Sequence, residues 1–122
     1  MMWLAVGIGG ALGSIARHGA NVAVGRLAGQ SVPYATAAVN VFGCFAIGVL
    51  AGLVATGALR ASGHARAFLF VGVLGSFTTF SSFGLDTLTL VRGGAMGAAL
   101  VNVLVQVGVG LASVFAGYAL AR

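Results

Sequence analysis

Four long apolar segments make up most of the chain, and short stretches rich in arginine and glycine separate them. The segments cover about residues 3–24, 33–57, 67–91 and 95–121. Each is long enough to cross a bilayer as a helix, because about 20 residues at roughly 1.5 Å of rise per residue span the hydrocarbon core. The pattern predicts one all-α integral membrane domain over residues 1–122, with four transmembrane helices.

The third segment is a poor candidate for a continuous helix. Gly72 and Gly75 lie three residues apart, and the adjacent threonines Thr78 and Thr79 follow them. Glycine and β-branched residues both weaken a helix interior, so we expect an unwound turn near residues 75–79. Unwound backbone at membrane depth must find partners in protein, trapped water or an ion, and the break therefore predicts a functional site.

Aromatic and polar side chains surround the expected break. Phe80 and Phe83 lie three residues apart on one helical face, with Thr79 beside Phe83. In the second segment, Asn40 places two donors and an acceptor at membrane depth, where they need partners. Asn40 is therefore either a hydrogen-bonding link between helices or a ligand for something that passes, and the residues alone leave both interpretations open.

The fourth segment carries a stripe of polar residues. Asn102, Gln106 and Ser113 fall within about 40° of one another on a projection of 3.6 residues per turn. A polar stripe inside an apolar helix is typical of a contact with another polar helix or of a hydrated pathway.

The composition excludes an ordinary soluble domain. The chain is 60% hydrophobic and contains 21 glycines, and its mean hydropathy of +1.12 is too high for a soluble domain of this size. The net charge is +5, but the arginines are scattered singly between apolar runs and form no basic stripe for nucleic acid. We expect membrane lipid, and no nucleic acid, around this chain.

The arginines are balanced between the two sides of the predicted domain. One side carries Arg60, Arg66 and Arg122, and the other carries Arg17, Arg26 and Arg92. A chain without charge bias has no preferred orientation under the positive-inside rule, so both orientations should be inserted. Oppositely oriented copies can pair about a two-fold axis in the membrane plane, which predicts an antiparallel, dual-topology homodimer. Arg17 lies well inside its segment, where it either lines a vestibule that attracts anions or extends to the headgroups.

These residues resemble the Fluc family of small dual-topology fluoride-specific ion channels over essentially the whole chain. The most specific part is Gly72-Val-Leu-Gly75-Ser-Phe-Thr78-Thr79-Phe80-Ser81-Ser82-Phe83, similar to the family's G-x-x-G-x-x-T-T-F-S-T-F. Supporting parts are Gly9-Gly10-x-x-Gly13-x-x-x-Arg17 and Val39-Asn40-x-x-Gly43-x-Phe45-x-x-Gly48. The departures are His18, Ala35, Ser82, Gly84, Asp86 and Gln106. Gln106 stands where the family more often has a small hydroxyl residue, and this change bears on the conduction rate.

The resemblance implies an antiparallel homodimer in the cell (inner) membrane, with two pores through which fluoride leaves the cell, so that cytoplasmic fluoride toxicity falls. It also implies a structural sodium ion, not transported, held at the dimer centre by the backbone carbonyls of Gly75 and Thr78. Carbonyls freed by unwinding are the hard oxygen ligands that a small cation needs, and two copies would supply four.

For the fluoride pathway, the resemblance implies a donor at Asn40 and the ring edges of Phe80 and Phe83, which carry the positive part of the aromatic quadrupole. The other pathway candidates are hydroxyl and amide residues of the third and fourth segments: Thr79, Ser81, Ser82, Asn102, Gln106 and Ser113.

Two other functions compete with a channel, and neither is an enzyme. A small four-span proton-coupled multidrug exporter can also be a dual-topology dimer, but it needs a carboxylate embedded in the membrane. This chain has no glutamate, and its one aspartate, Asp86, lies towards the end of a segment. A membrane scaffold that only binds other helices would leave the polar stripe without a role.

Overall fold

The computed structural model describes residues 1–29 and 33–122, in which all regular structure is helical. Helix α1 covers Met2–Ala28 and α2 covers Tyr34–Ala55. The third run consists of α3 (Gly63–Arg66), a first π-helical segment (Ala67–Leu74), α4 (Gly75–Phe77) and α5 (Phe80–Arg92). The fourth consists of α6 (Met96–Val103), a second π-helical segment (Leu104–Val109) and α7 (Gly110–Ala121).

Among the described residues, three helical runs are long and apolar enough to cross a membrane: Tyr34–Ala55, Gly63–Arg92 and Met96–Ala121. Helix α1 has 27 residues but does not belong to this group. Arg17 and His18 lie in its second half and lower its hydropathy. An all-helical, multi-pass membrane protein is thus confirmed, whereas the fourth span stays a prediction.

Glycines with positive φ end three of the helical runs. Gly29, Gly57 and Gly94 have φ angles of 80°, 75° and 78°. Residues with a Cβ atom rarely adopt this conformation, so glycine is favoured where the backbone must reverse after a helix. Pro33 precedes α2, where its missing N–H is not needed by the helix.

Helix α1 packs directly against the first π-helical segment through glycine. A Cβ atom added at Gly9 would meet the carbonyl oxygen of Phe68, and one added at Gly13 would meet that of Val73. Close backbone approach replaces hydrophobic driving force where helices meet in lipid, so these glycines fix α1 beside the third run.

Helices α2 and α7 form a second close pair, with glycines on both sides. A Cβ atom at Gly48 would meet the Val114 carbonyl, and one at Gly117 would meet the Phe45 carbonyl. Within residues 1–29 and 33–122, few apolar side chains are buried: Val39, Ala67, Leu74, Phe83 and Ala99. Many large apolar side chains of all four runs face outward, as expected of surfaces that contact lipid or another protein chain.

Candidate functional site

The third run is interrupted at Thr78 and Thr79, inside the stretch where the sequence predicts an unwound turn. Both residues have extended backbone, with ψ angles of 155° and 113°. Thr79 is the N-cap of α5, because its hydroxyl oxygen accepts the backbone N–H of Ser82 at 3.2 Å. A threonine at this position satisfies one of the unpaired N–H groups of the first helical turn, so the sequence itself begins α5 here.

The interruption diverts two backbone N–H groups from their usual helical partners. In a regular helix, Thr79 N–H would donate to the carbonyl of Gly75, and Ser82 N–H to that of Thr78. Instead, Thr79 N–H donates to Asn40 Oδ1 at 2.8 Å and Ser82 N–H donates to the Thr79 hydroxyl. The Gly75 and Thr78 carbonyls therefore do not receive these two helical hydrogen bonds, which leaves them available to another donor or to a cation.

Asn40 of α2 clamps the broken backbone. Its Oδ1 accepts Thr79 N–H, while its Nδ2 donates to the Thr79 carbonyl at 3.0 Å. Gly43 lies three residues further along α2, and a Cβ atom there would meet the Thr78 side-chain methyl. The asparagine replaces lost backbone partners, and the glycine lets α2 lie directly against the break.

From Asn40, a line of hydrogen bonds continues into the fourth run. Asn40 Nδ2 donates to Gln106 Oε1 at 2.6 Å, Gln106 Nε2 donates to Asn102 Oδ1 at 2.8 Å, and Asn102 Nδ2 donates to Thr87 Oγ1 at 3.0 Å. The Thr87 hydroxyl donates to the Phe83 carbonyl at 2.8 Å. We call Asn40, Gln106, Asn102 and Thr87 the amide chain. Asn102 and Gln106 are only 5% and 8% exposed, so these dipoles are held in an apolar interior.

Two cavities border the amide chain. The first, of about 310 Å³, is lined by Asn40, Gly43, Cys44, Ile47, Phe70, Leu74, Gly75, Thr78, Thr79, Phe80, Gln106 and Val107. The second, of about 300 Å³, is lined by Pro33, Tyr34, Ala37, Ala98, Val101, Asn102 and Val105. Asn40 and Gln106 thus face one cavity and Asn102 faces the other, so the amide chain joins the two.

The two phenylalanines after the break are in contact with each other. The ring centroids of Phe80 and Phe83 lie 5.3 Å apart with an interplanar angle of 57°. Phe83 is buried, whereas Phe80 is 80% exposed and lines the first cavity. The exposed ring of Phe80 has most of its surface free for lipid, a passing ion or a second protein chain.

The structure does not bring every predicted site residue to the amide chain. The Ser81 and Ser82 hydroxyls lie 3.2 and 3.0 Å from the Thr79 hydroxyl and form a small cluster beside the break. Ser113 donates to the Val109 carbonyl of its own helical run at 2.7 Å. Arg17 is partly exposed and makes no side-chain hydrogen bond or ion pair within residues 1–29 and 33–122.

A second π-helical segment lies inside the predicted polar stripe. It covers Leu104–Val109, between Asn102 and Ser113. A π-helical turn is wider than an α-helical turn, so a projection of 3.6 residues per turn does not hold across it. Asn102 and Gln106 stay on one face and hydrogen-bond to each other, whereas Ser113 bonds to its own helix.

Thr87 is a member of the amide chain that the sequence analysis does not single out. It lies four residues after Phe83 and seven after Phe80, which places it on the same helical face. This spacing is the sequence signal that could have identified Thr87 as a site residue. A threonine in a helix often donates to its own backbone, as Thr87 does to Phe83, and the position does not stand out without its partner Asn102.

Comparison with known proteins identifies the family. Residues 4–118 match the family described as CrcB-like protein, Camphor Resistance (CrcB). A protein of Rhodospirillum centenum named fluoride-specific ion channel FluC is 50% identical over 121 residues, which cover 99% of this chain and 95% of the relative. Proteins of the same name from Agrobacterium fabrum and Thermus thermophilus are 50% and 47% identical over 117 and 118 residues, or 96% and 97% of this chain and 93% of each relative.

These relatives are named as ion channels, which is not an enzymatic function. The matches run over nearly the full length of both chains. The resemblance to fluoride channels is confirmed: the chain belongs to the CrcB family, whose curated relatives are named FluC.

Proposed function

We propose that the protein is a fluoride-specific ion channel that lets fluoride leave the cell. The observation that carries the proposal is the amide chain, which joins two cavities through an apolar interior. Buried polar groups at membrane depth are costly and are typical of ion pathways. The name shared by the relatives gives the ion.

The pathway runs beside the amide chain, past the Asn40 donor and the Phe80 and Phe83 rings. Fluoride holds its water strongly, so a pore must replace the hydration shell with groups that bind the ion and still release it. Amide N–H groups are neutral donors, and ring edges are weaker positive groups still. The Thr79, Ser81 and Ser82 hydroxyls lie beside the first cavity, and Ser113 and Arg17 are assigned to the outer parts of the route.

We propose four transmembrane helices in the cell (inner) membrane, with α1 as the first and the third broken at Thr78 and Thr79. Helix α1 supports this because its backbone lies against the spanning run Gly63–Arg92 at Gly9 and Gly13. At roughly 1.5 Å per residue, its 27 residues are about 40 Å long, which exceeds the hydrocarbon core. Small side chains at the contact let α1 share the membrane with its neighbour.

The functional unit is an antiparallel, dual-topology homodimer. The balance of three arginines against three supports insertion in both orientations. Phe80 is 80% exposed although it lines the first cavity, and Phe42 is 64% exposed although its ring packs edge-on against Phe77 at 6.1 Å. Both rings lie beside the break, on a surface that a second copy would cover.

A structural sodium ion at the dimer centre fits the residues at the break. The Gly75 and Thr78 carbonyls have lost the helical donors Thr79 N–H and Ser82 N–H. Sodium is a hard cation that prefers such oxygen ligands, and in a two-fold dimer these two residues would supply four carbonyls. The bound ion would compensate the partial negative charge of the freed carbonyls and hold the two copies together.

Fluoride efflux from liposomes tests the function. Purified protein in fluoride-loaded liposomes is expected to release fluoride to an external fluoride electrode without a proton gradient. A proton-coupled exporter would require the gradient. It would also need a membrane-embedded carboxylate, and the one acidic residue of this chain, Asp86, lines neither cavity. A scaffold would release nothing, and either of these two results would contradict the proposal.

Biasing the topology tests the dimer arrangement. Two arginines added to the loop between Leu59 and Gly63 should orient nearly all copies one way, because short cytoplasmic loops carry excess positive charge. Antiparallel dimers should then become rare and fluoride efflux should fall to near background. Co-expression with a version biased the other way, by arginines added beside Gly93, should restore efflux. Full efflux from one strongly biased version alone would show that dual topology is wrong.

A further inference from the structure

The backbone of Thr79 fixes which way the Asn40 side chain points. A backbone N–H only donates and a carbonyl only accepts, so the Asn40 atom facing Thr79 N–H at 2.8 Å must be Oδ1. The atom facing the Thr79 carbonyl at 3.0 Å must be Nδ2. Exchanging the two atoms would replace both hydrogen bonds by repulsions.

This orientation passes along the whole amide chain. Because Asn40 presents Nδ2, Gln106 must face it with Oε1, and Gln106 Nε2 then faces Asn102. Asn40 has two N–H groups, and the Thr79 carbonyl and Gln106 Oε1 accept from them. The donor assigned to fluoride is thus already occupied by Gln106 Oε1, in a hydrogen bond of 2.6 Å.

We propose that Gln106 sets the anion affinity of the pathway, because its Oε1 competes with the passing anion for an Asn40 N–H group. This inference rests on the proposed fluoride channel and adds a competition step to it. With one Asn40 N–H held by the Thr79 carbonyl, an anion takes the other by displacing the amide oxygen of Gln106. Both side chains line the first cavity, so an anion there reaches the hydrogen bond directly.

The competition acts on every anion that uses this donor. Fluoride concentrates one full charge on a small atom and is a stronger hydrogen-bond acceptor than an amide oxygen, so it can displace Gln106 Oε1. The donor must first be released, and this cost lowers the affinity of the site for fluoride and for chloride by the same factor. The preference between the two anions is therefore unchanged by the hydrogen bond.

The test replaces Gln106 by methionine, which has a similar length but lacks the strong acceptor. Gln106→Met frees the Asn40 donor, so the fluoride concentration that half-saturates efflux should fall about threefold to tenfold, the worth of one net hydrogen bond. Chloride efflux should rise by a similar factor above the parent. The control is Thr89→Val, which removes a hydrogen bond that stays within α5, to the Leu85 carbonyl.

A second background separates competition from packing. In Asn40→Ser, no amide donor remains for Gln106 to occupy, so adding Gln106→Met should leave the half-saturating fluoride concentration and the chloride efflux of that background unchanged. A packing effect of methionine would persist in both backgrounds. Gln106→Ser, whose side chain is too short to reach Asn40, should change the two quantities in the same direction as Gln106→Met if the latter does not assemble.

Assembled Gln106→Met or Gln106→Ser channels with the parent's half-saturating fluoride concentration and chloride efflux would overturn the inference. The same holds if either quantity moves in the opposite direction. This failure differs from a failure of the proposed function, in which the parent protein itself would release no fluoride.

Discussion

Replacement of Asn40 by aspartate is expected to reduce fluoride efflux by more than about tenfold, since hydrogen bonds to charged groups contribute about 1.5–3 kcal/mol. Aspartate keeps the oxygen that accepts Thr79 N–H but replaces the donor Nδ2 with a second oxygen. That oxygen would face the Thr79 carbonyl and Gln106 Oε1, both acceptors that now receive N–H. A carboxylate here would also repel the anion, so binding and passage both suffer.

The measurement pairs fluoride efflux with a size-exclusion profile of the same purified sample. The control is Ser62→Asp at the N-cap of α3, which adds the same negative charge outside the amide chain and both cavities. Aspartate can still accept Ala65 N–H, as the serine does, so this variant should keep most of the efflux. Parent-level efflux from assembled Asn40→Asp protein would leave Asn40 with a structural role only.

Periodicity and glycine placement predict the break, but not what holds it. Gly72, Gly75 and the paired threonines lower the helix propensity of the third run whatever it packs against. Helix propensity is a local property, so the sequence alone reveals it. The clamp by Asn40 joins residues 39 positions apart, and its bond to Gln106 joins residues 66 apart. Without a packing arrangement, the residues alone could not decide whether Asn40 links helices or serves as a ligand, and in the structure it does link them.

The π-helical segments mark another limit of prediction from sequence. Ala67–Leu74 and Leu104–Val109 are apolar stretches that contain no proline, and nothing in their composition distinguishes them from α-helix. The backbone of Gly9 in α1 lies against the Phe68 carbonyl of the first segment, a contact between distant residues that composition does not reveal. The polar stripe is predicted with α-helical geometry; the structure joins Gln106 to Asn102 by a hydrogen bond, and Ser113 bonds to the Val109 carbonyl of its own run.

A single chain also does not show what covers the exposed ring of Phe80. A ring that is 80% exposed in a single copy contributes little to the packing of that copy, apart from its contact with Phe83. The sequence motif singles out both rings equally, whereas the structure separates a buried ring from an exposed one. This difference makes the pair informative, because packing and ion passage predict different results for the exposed ring.

Phe80→Ile and Phe83→Ile are each expected to reduce fluoride efflux by about tenfold while leaving the dimer assembled. A lost aromatic contact of about 0.5–1.5 kcal/mol corresponds to a change of up to about tenfold. Isoleucine keeps the apolar bulk but lacks the positive ring edge that the proposed pathway uses. Phe83 is 9% exposed, so its replacement should also lower stability, by less than the roughly 3–5 kcal/mol of a buried Phe→Ala change because isoleucine keeps most of the volume. Phe80 is exposed, so its replacement should not affect the stability of the single chain.

The control is Phe115→Ile in α7, where the ring is 73% exposed and lines neither cavity. It matches Phe80 in exposure and in the substitution, so it should keep parent efflux and parent assembly. If the rings only pack, the opposite result is expected: size-exclusion profiles of Phe80→Ile and Phe83→Ile should show less dimer, while each remaining dimer releases fluoride at the parent rate. Assembled dimers of both variants that release fluoride at the parent rate would remove these rings from the pathway, and with them the case for a pore along the third run.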